Sequence, residues 1–126
     1  MTIASSTTAT WPTELRLSEG GRLLTIAFDD GTRHELSAEY LRVESPSAEV
    51  QGHTPSQRQT QSGKRNVTIT EIQPTGNYAV RLLFSDGHST GLYTFAWIHD
   101  LAVKKEVKWA AYEAELEAKG LSRDPR

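Results

Sequence analysis

The sequence contains no cysteine. That removes disulfides, thiolate metal ligands and thiol nucleophiles together, and it fits a reducing compartment. No apolar run approaches the roughly 18–20 residues that a membrane span needs, so no membrane partner is expected. Residues 1–10 have no basic residue and no apolar run, so they lack the pattern of a signal or transit peptide. Together these absences lead to the expectation of a cytoplasmic protein. A large charge of either sign is missing too. The formal net charge is −2 and the pI about 6.1, and no nucleic-acid partner is expected.

Catalytic signatures are equally scarce. There is no His-x-Asp pair, so the facial triad of a non-haem iron oxygenase has no starting point. Gly63-Lys64-Arg65 has the tail of a phosphate loop. However, Arg58 stands where that loop needs its first glycine, and Arg65 stands where it needs Ser or Thr. No Gly-x-Ser-x-Gly elbow occurs. Ser, His and Asp are present, but nothing in their order groups them into a triad. The expectation is a non-catalytic protein.

The chain has 126 residues, 37% hydrophobic and 24% charged, which suits one domain with a modest core. Residues 1–10, a mixture of Ser, Thr and Ala, read as a disordered tail. The folded domain spans residues 11–119, and residues 120–126 read as a frayed end. Leu15 and Leu17 alternate with polar neighbours, as do Leu24, Ile26 and Phe28, giving two strands around the Glu19-Gly20-Gly21-Arg22 turn. Asp29-Asp30-Gly31-Thr32 is a tight turn into a third strand, Arg33 to Leu36. Ser37 is placed to cap a short helix from Ala38 to Arg42, and Ser45-Pro46 to start another turn reaching Val50.

Residues 53–66 contain no aliphatic side chain and read as a flexible loop. They hold Arg58, Lys64 and Arg65 and no acid, which leaves −5 on the rest of the chain. Val67 to Ile72 and Tyr78 to Phe84 are strands around a Pro74-Thr75-Gly76-Asn77 turn. His88 to Tyr93 returns after Asp86-Gly87, and Thr94 to Leu101 forms a helical turn. A helix from Ala102 to Lys119 ends at Gly120. Its face of Val103, Val107, Ala110, Ala111 and Ala114 opposes a stripe of Trp109, Tyr112 and Leu116. Phe28-Asp29-Asp30-Gly31 through Leu41 also echoes Phe84-Ser85-Asp86-Gly87 through Trp97, at a spacing of 56 residues. The fold class expected is α+β, a small, mainly antiparallel β-sheet of paired hairpins with short helical turns and one C-terminal α-helix.

Two sets of residues are candidates for function. His53 and His88 each follow a glycine, with Glu49 and Asp86 near them in sequence. Two imidazoles and two carboxylates can bind Zn or Fe, although such histidines also serve as turn caps or carboxylate partners. The second set is an interaction surface for a protein partner. It comprises the stretch from Glu44 through Ser45 and Ser47 to His53, with His88, together with the Trp109, Tyr112 and Leu116 stripe.

Trp11-Pro12-Thr13, Leu41 to His53, Pro74-x-Gly76-Asn77-Tyr78-Ala79-Val80 and Phe84-x-Asp86-Gly87-His88-x-x-Gly91-x-Tyr93 resemble the bacterial stand-alone members of the gamma-butyrobetaine hydroxylase-like N-terminal domain family. The resemblance runs from about Trp11 to Leu101. In the carnitine-pathway hydroxylases this domain precedes the catalytic oxygenase domain and holds a structural zinc through three cysteines and a histidine. The resemblance sets Ser45, Ser47 and Val50 at the cysteine positions and His88 at the histidine. It therefore implies that the family's zinc site is lost here, and the hydroxylase activity does not carry over. Similar domains are also joined to iron–sulfur carrier ATPases, which implies by association a role near iron or iron–sulfur handling.

Overall fold

The computed structural model describes residues 11–125; the tail expected at residues 1–10 lies outside them. Strands β1 (Pro12–Ser18), β2 (Leu23–Phe28) and β3 (Arg33–Ser37) form one antiparallel sheet in that order. Strands β4 (Ile69–Thr75), β5 (Ala79–Phe84) and β6 (Leu92–Thr94) form a second. Helices α1 (Ala38–Val43) and α2 (Ala48–Gln51) follow the first sheet, and α3 (Phe95–Val103) and α4 (Lys105–Lys119) follow the second. The class is α+β, with its hairpins divided between two three-stranded sheets. No helix of the described residues is long and apolar enough to cross a membrane.

The sequence echo is a structural repeat. Ser37 caps α1 by accepting from Tyr40 N at 3.0 Å, and Thr94 caps α3 by accepting from Trp97 N at 3.0 Å. Each first hairpin carries a register shift, between Pro12 and Glu14 and between Ile69 and Glu71. The threonine at each shift donates its hydroxyl across the ladder, Thr13 to Ala27 O at 3.2 Å and Thr70 to Leu83 O at 3.1 Å. Both Asp-Gly turns close alike, with Phe28 N donating to Thr32 O and Phe84 N to His88 O.

The two repeats also exchange contacts reciprocally. Tyr40 on α1 donates its hydroxyl to Leu101 O near the end of α3, at 2.7 Å. Trp97 on α3 donates its indole N–H to Glu44 O, just past the end of α1, at 3.1 Å. Arg42 on α1 pairs with Asp86 in the second turn at 2.9 Å, while His99 on α3 faces Asp30 in the first at 3.5 Å. Each helix is thus fastened to the other repeat.

One core serves both halves. Leu24, Ile26, Phe28 and Leu36 from the first sheet meet Ile69, Val80, Leu82, Phe84 and Tyr93 from the second, with Tyr40, Leu41, Ile98 and Leu101 from the helices between them. A smaller cluster of Val43, Tyr112 and Leu116 seats α4. Gly21 permits the close approach of the sheets: at a φ of +89, any Cβ there would strike the backbone oxygen of Ile69.

Several sequence-based boundaries shift. Pro74 and Thr75 belong to β4 rather than to a turn, which is possible because β4 is an edge strand and needs no donor at Pro74. Residues 88–91 are not strand, and β6 keeps only Leu92–Thr94. The long helix breaks at Lys104, so Ala102 and Val103 end α3. Near this break the Leu101 carbonyl takes the Tyr40 hydroxyl. The faces of α4 are inverted relative to a docking stripe. Tyr112 and Leu116 are 1% and 5% exposed and Trp109 is half-buried, while Val103 and Val107 are 62% and 73% exposed. The stripe belongs to the core because a hydroxyphenyl, an isobutyl and an indole bury far more apolar area than alanines and valines.

Tyr40→Phe and Trp97→Phe each strip a main-chain carbonyl of its donor. Each is expected to cost about 1–3 kcal/mol in urea denaturation, and a free-energy change near zero for both would show the reciprocal bonds to be incidental.

Candidate functional site

The site is built on the second Asp-Gly turn. Asp86 Oδ1 accepts from His88 N at 3.1 Å, an Asx turn that orients the histidine. Its Oδ2 accepts from Arg42 Nε at 2.9 Å and from Lys64 Nζ at 2.6 Å. Burial by itself would raise this carboxyl. The Lys64 ammonium, the His88 N–H and the Arg42 guanidinium outweigh it and hold the pKa at about 2.

His88 points into the α1–α2 connection. Its Nε2 lies 2.9 Å from Ser45 Oγ, and its Nδ1 lies 3.4 Å from Glu49 Oε1. Ser45 Oγ also accepts from Ser47 N at 3.2 Å. Ser47 Oγ accepts from Glu49 N at 3.1 Å and meets Thr90 Oγ1 at 3.0 Å, and Thr90 donates on to Glu49 Oε1 at 3.1 Å. Ser47, not Ser45, is therefore the cap of α2; Ser45 is fully buried and serves the histidine. Gly91 leaves room for this, since a Cβ there would stand 2.6 Å from Ser45 Oγ. Burial, and then the Arg42 cation, push the His88 pKa below the ordinary histidine value. The neutral ring suits the geometry, with Nδ1–H toward Glu49 and Nε2 accepting from Ser45.

Beside this cluster, Arg58 reaches Glu44 at 3.2 Å, Glu115 at 3.3 Å and Gln51 at 3.2 Å. Burial raises the Glu44 pKa despite the guanidinium. Residues 53–66 hold a 3-10 turn at Pro55–Gln57, and distant segments bond to them: Gln59 N donates to Val50 O at 2.7 Å and Tyr112 donates to Gln61 O at 2.5 Å. All three loop cations are paired, Arg58 and Lys64 as above and Arg65 with Asp124.

The four expected metal ligands do not converge. His53 is exposed and fixed through its backbone N–H to Gln57 Oε1 at 2.8 Å, while His88 is buried against Ser45. Asp86 is occupied by Arg42 and Lys64. Among the described residues no group of three or more His, Asp or Glu side chains is placed to hold a metal ion. The zinc positions implied by the resemblance fit no better. Ser45 and His88 touch and Ser47 stands one bond away, but hydroxyls stay protonated near neutral pH, and Val50 is a buried alkyl group. Hydrogen bonds now span the place of the metal.

Ser45, His88 and Glu49 also stand in the order of a nucleophile, base and acid. Ser45 has 0% exposure, so a substrate has no path to its oxygen. Glu44, Ser45 and Ser47 are 5%, 0% and 8% exposed, which removes them as a contact surface. The residues missed in sequence, Arg42, Lys64 and Thr90, come from segments up to 44 positions from their partners. The repeat carried one signal for them: Arg42 stands where the second copy has His99, and both reach for an Asp-Gly aspartate.

Residues 15–99 match the family described as Gamma-butyrobetaine hydroxylase-like, N-terminal. Two proteins solved by solution NMR are similar over nearly the whole chain. One is 43% identical with a TM-score of 0.79, over 93% of this chain and 92% of that one. The other is 46% identical with a TM-score of 0.80, over 99% of this chain and 92% of that one. A protein with unknown function of the DUF971 family from Acidithiobacillus ferrooxidans ATCC 23270 is 37% identical with a TM-score of 0.60. That match covers 72% of this chain and 91% of the other. No curated protein matches.

Ser45→Ala leaves the Ser47 N–H and His88 Nε2 without their partner in the interior. The expected cost is about 1–3 kcal/mol by chemical denaturation. His88 gives a second measurement. Its folded pKa lies below the unfolded value of about 6.5, so the unfolded chain takes the proton first. The stability contributed by its neutral form is full above that value and is lost as pH falls through the folded one. Wild type should lose more stability than His88→Gln between about pH 7.5 and pH 5, and parallel profiles would refute a neutral buried imidazole.

Proposed function

Since the chain belongs to the gamma-butyrobetaine hydroxylase-like, N-terminal family, we propose that it is a small non-catalytic interaction domain that keeps this fold without a metal. The observation that carries the reading is the closed polar cluster at Ser45 and His88. Its groups face each other, the serine is inaccessible, and the cluster joins α1, the α1–α2 connection, residues 53–66 and the second turn. Such a cluster braces a scaffold, and contact with a partner falls to the outer faces.

Protein purified under native conditions should contain no stoichiometric zinc or iron by elemental analysis, and calorimetry with Zn and with Fe(II) should show no heat that depends on His88. Metal held through His88 would overturn the reading. A triple replacement, Ser45→Cys, Ser47→Cys and Val50→Cys, supplies thiolates beside the existing imidazole and should gain about one zinc per chain, the full set of a Cys3His site. Affinity purification from native lysate should recover a protein partner in stoichiometric amount. Recovery of the chain alone would remove the interaction role.

A further inference from the structure

A groove of about 600 Å³ lies between the edge of the first sheet, α1 and α4. Its floor is the Trp109 indole, packed edge-on to Tyr40 at 6.1 Å and tilted against Tyr112 at 5.2 Å. One cation already occupies it. Beyond Gly120, which ends α4 in the left-handed conformation, the chain turns back and lays the Arg123 guanidinium 5.0 Å over the Trp109 ring. The same group forks onto Glu39, Nε to Oε2 at 2.8 Å and Nη2 to Oε1 at 2.8 Å. Glu39 is 6% exposed, so this carboxylate is a buried acceptor aimed into the groove.

An indole face beside a forked carboxylate is the pair of features that recognises a guanidinium rather than an ammonium. The rim is acidic even after Arg123 neutralises Glu39. No hydrogen bond or ion pair among the described residues uses the carboxylates of Glu35, Glu106 or Glu113, and Lys105 is turned to the Glu35 backbone oxygen at 3.1 Å. We propose that this groove docks an arginine-bearing peptide segment of a partner protein, and that Arg123 is an internal ligand holding the place until the partner displaces it. The proposal rests on the interaction reading above and names its surface and the chemistry of its partner. Displacement is local, because Arg123 is 29% exposed at its side chain and its segment is tied down by backbone bonds, Gly63 N to Ser122 O and Arg65 N to Arg123 O.

The probe is an amidated Leu-Arg-Leu-Arg-Gly peptide, titrated into the isotope-labelled full chain while the Trp109 indole N–H is followed by NMR. The control is the same peptide with glutamate for arginine. An internal ligand present in nine molecules of ten taxes affinity about tenfold, so Arg123→Ala should bind about tenfold tighter than wild type. Arg123→Lys keeps the charge without the fork; should the alanine variant unfold, this one should still bind tighter than wild type. Adding Glu113→Gln to either should weaken binding. Equal affinity of wild type and the Arg123 variants, an unshifted indole, or equal binding of the acidic control would overturn the proposal. Concentration-dependent dimerisation of Arg123→Ala without peptide would also overturn it, by making a second copy the occupant. A native partner captured equally by wild type and by Glu39→Gln/Arg123→Ala would remove the groove while leaving the interaction reading in place.

Discussion

One carboxylate carries more of this structure than any other polar group. Asp86 receives the α1 guanidinium, the Lys64 ammonium and the backbone N–H of His88, and so joins three segments distant in sequence. Arg42 is 7% exposed, too buried to stand unpaired. The net stability of such a pair is small, because desolvation offsets most of the attraction. Its effect lies in exclusion: any arrangement that separates Arg42 from Asp86 leaves a charge in the interior and is strongly disfavoured. The position of His88, and hence its bond to Ser45, follows from that exclusion.

The duplicated architecture explains why the cluster sits in the second turn only. Both turns use an aspartate to accept a main-chain N–H two residues on, Asp30 from Thr32 at 2.9 Å and Asp86 from His88 at 3.1 Å. Both aspartates face the helix of the other repeat. In the first copy the partner is His99 at 3.5 Å, and the turn residue is a threonine that closes back on Asp30. In the second the partner is an arginine, and the turn residue is a histidine long enough to cross to Ser45. The same backbone geometry thus makes an exposed turn once and a buried junction once, with the side chains at two positions deciding between them.

Much of this was legible in the sequence. Alternation located β1, β2 and β5, Asp-Gly located the hairpin turns, Ser37 located the start of α1 and Gly120 the end of α4, because each is a local rule with a local cause. The spacing of 56 residues announced the repeat. What escaped was set by partners far away. Nothing near Lys104 marks a break, since neither proline nor glycine is there; the Leu101 carbonyl beside it is claimed by Tyr40 from 61 positions earlier. Periodicity separated the two faces of α4 without saying which turned inward. Residues 53–66 read as open because their composition is polar, while their fastenings come from Tyr112, Glu115 and Asp86. Ser45 looked like a cap because Ser-Pro commonly begins a helix, and the histidine that claims it stands 43 residues on.

The replacement of metal ligands by hydroxyls changes the character of the scaffold. A zinc tetrad holds its loop through bonds that last until the ligands take up protons or the ion is removed. The Ser45–His88 junction holds only while the imidazole is neutral, and burial with the Arg42 charge favours that state. A polar cluster of this kind is stable when each member has a partner, and it leaves no donor or acceptor to offer a ligand. The chemistry still able to meet another molecule then lies where carboxylates remain unpaired beside an aromatic face. In this fold that place is the groove over Trp109, on the side of α1 where Glu39 already holds a guanidinium. The same short helix supplies Arg42 to the buried junction and Glu39 to the groove, so the metal-free brace and the binding face are two sides of one element.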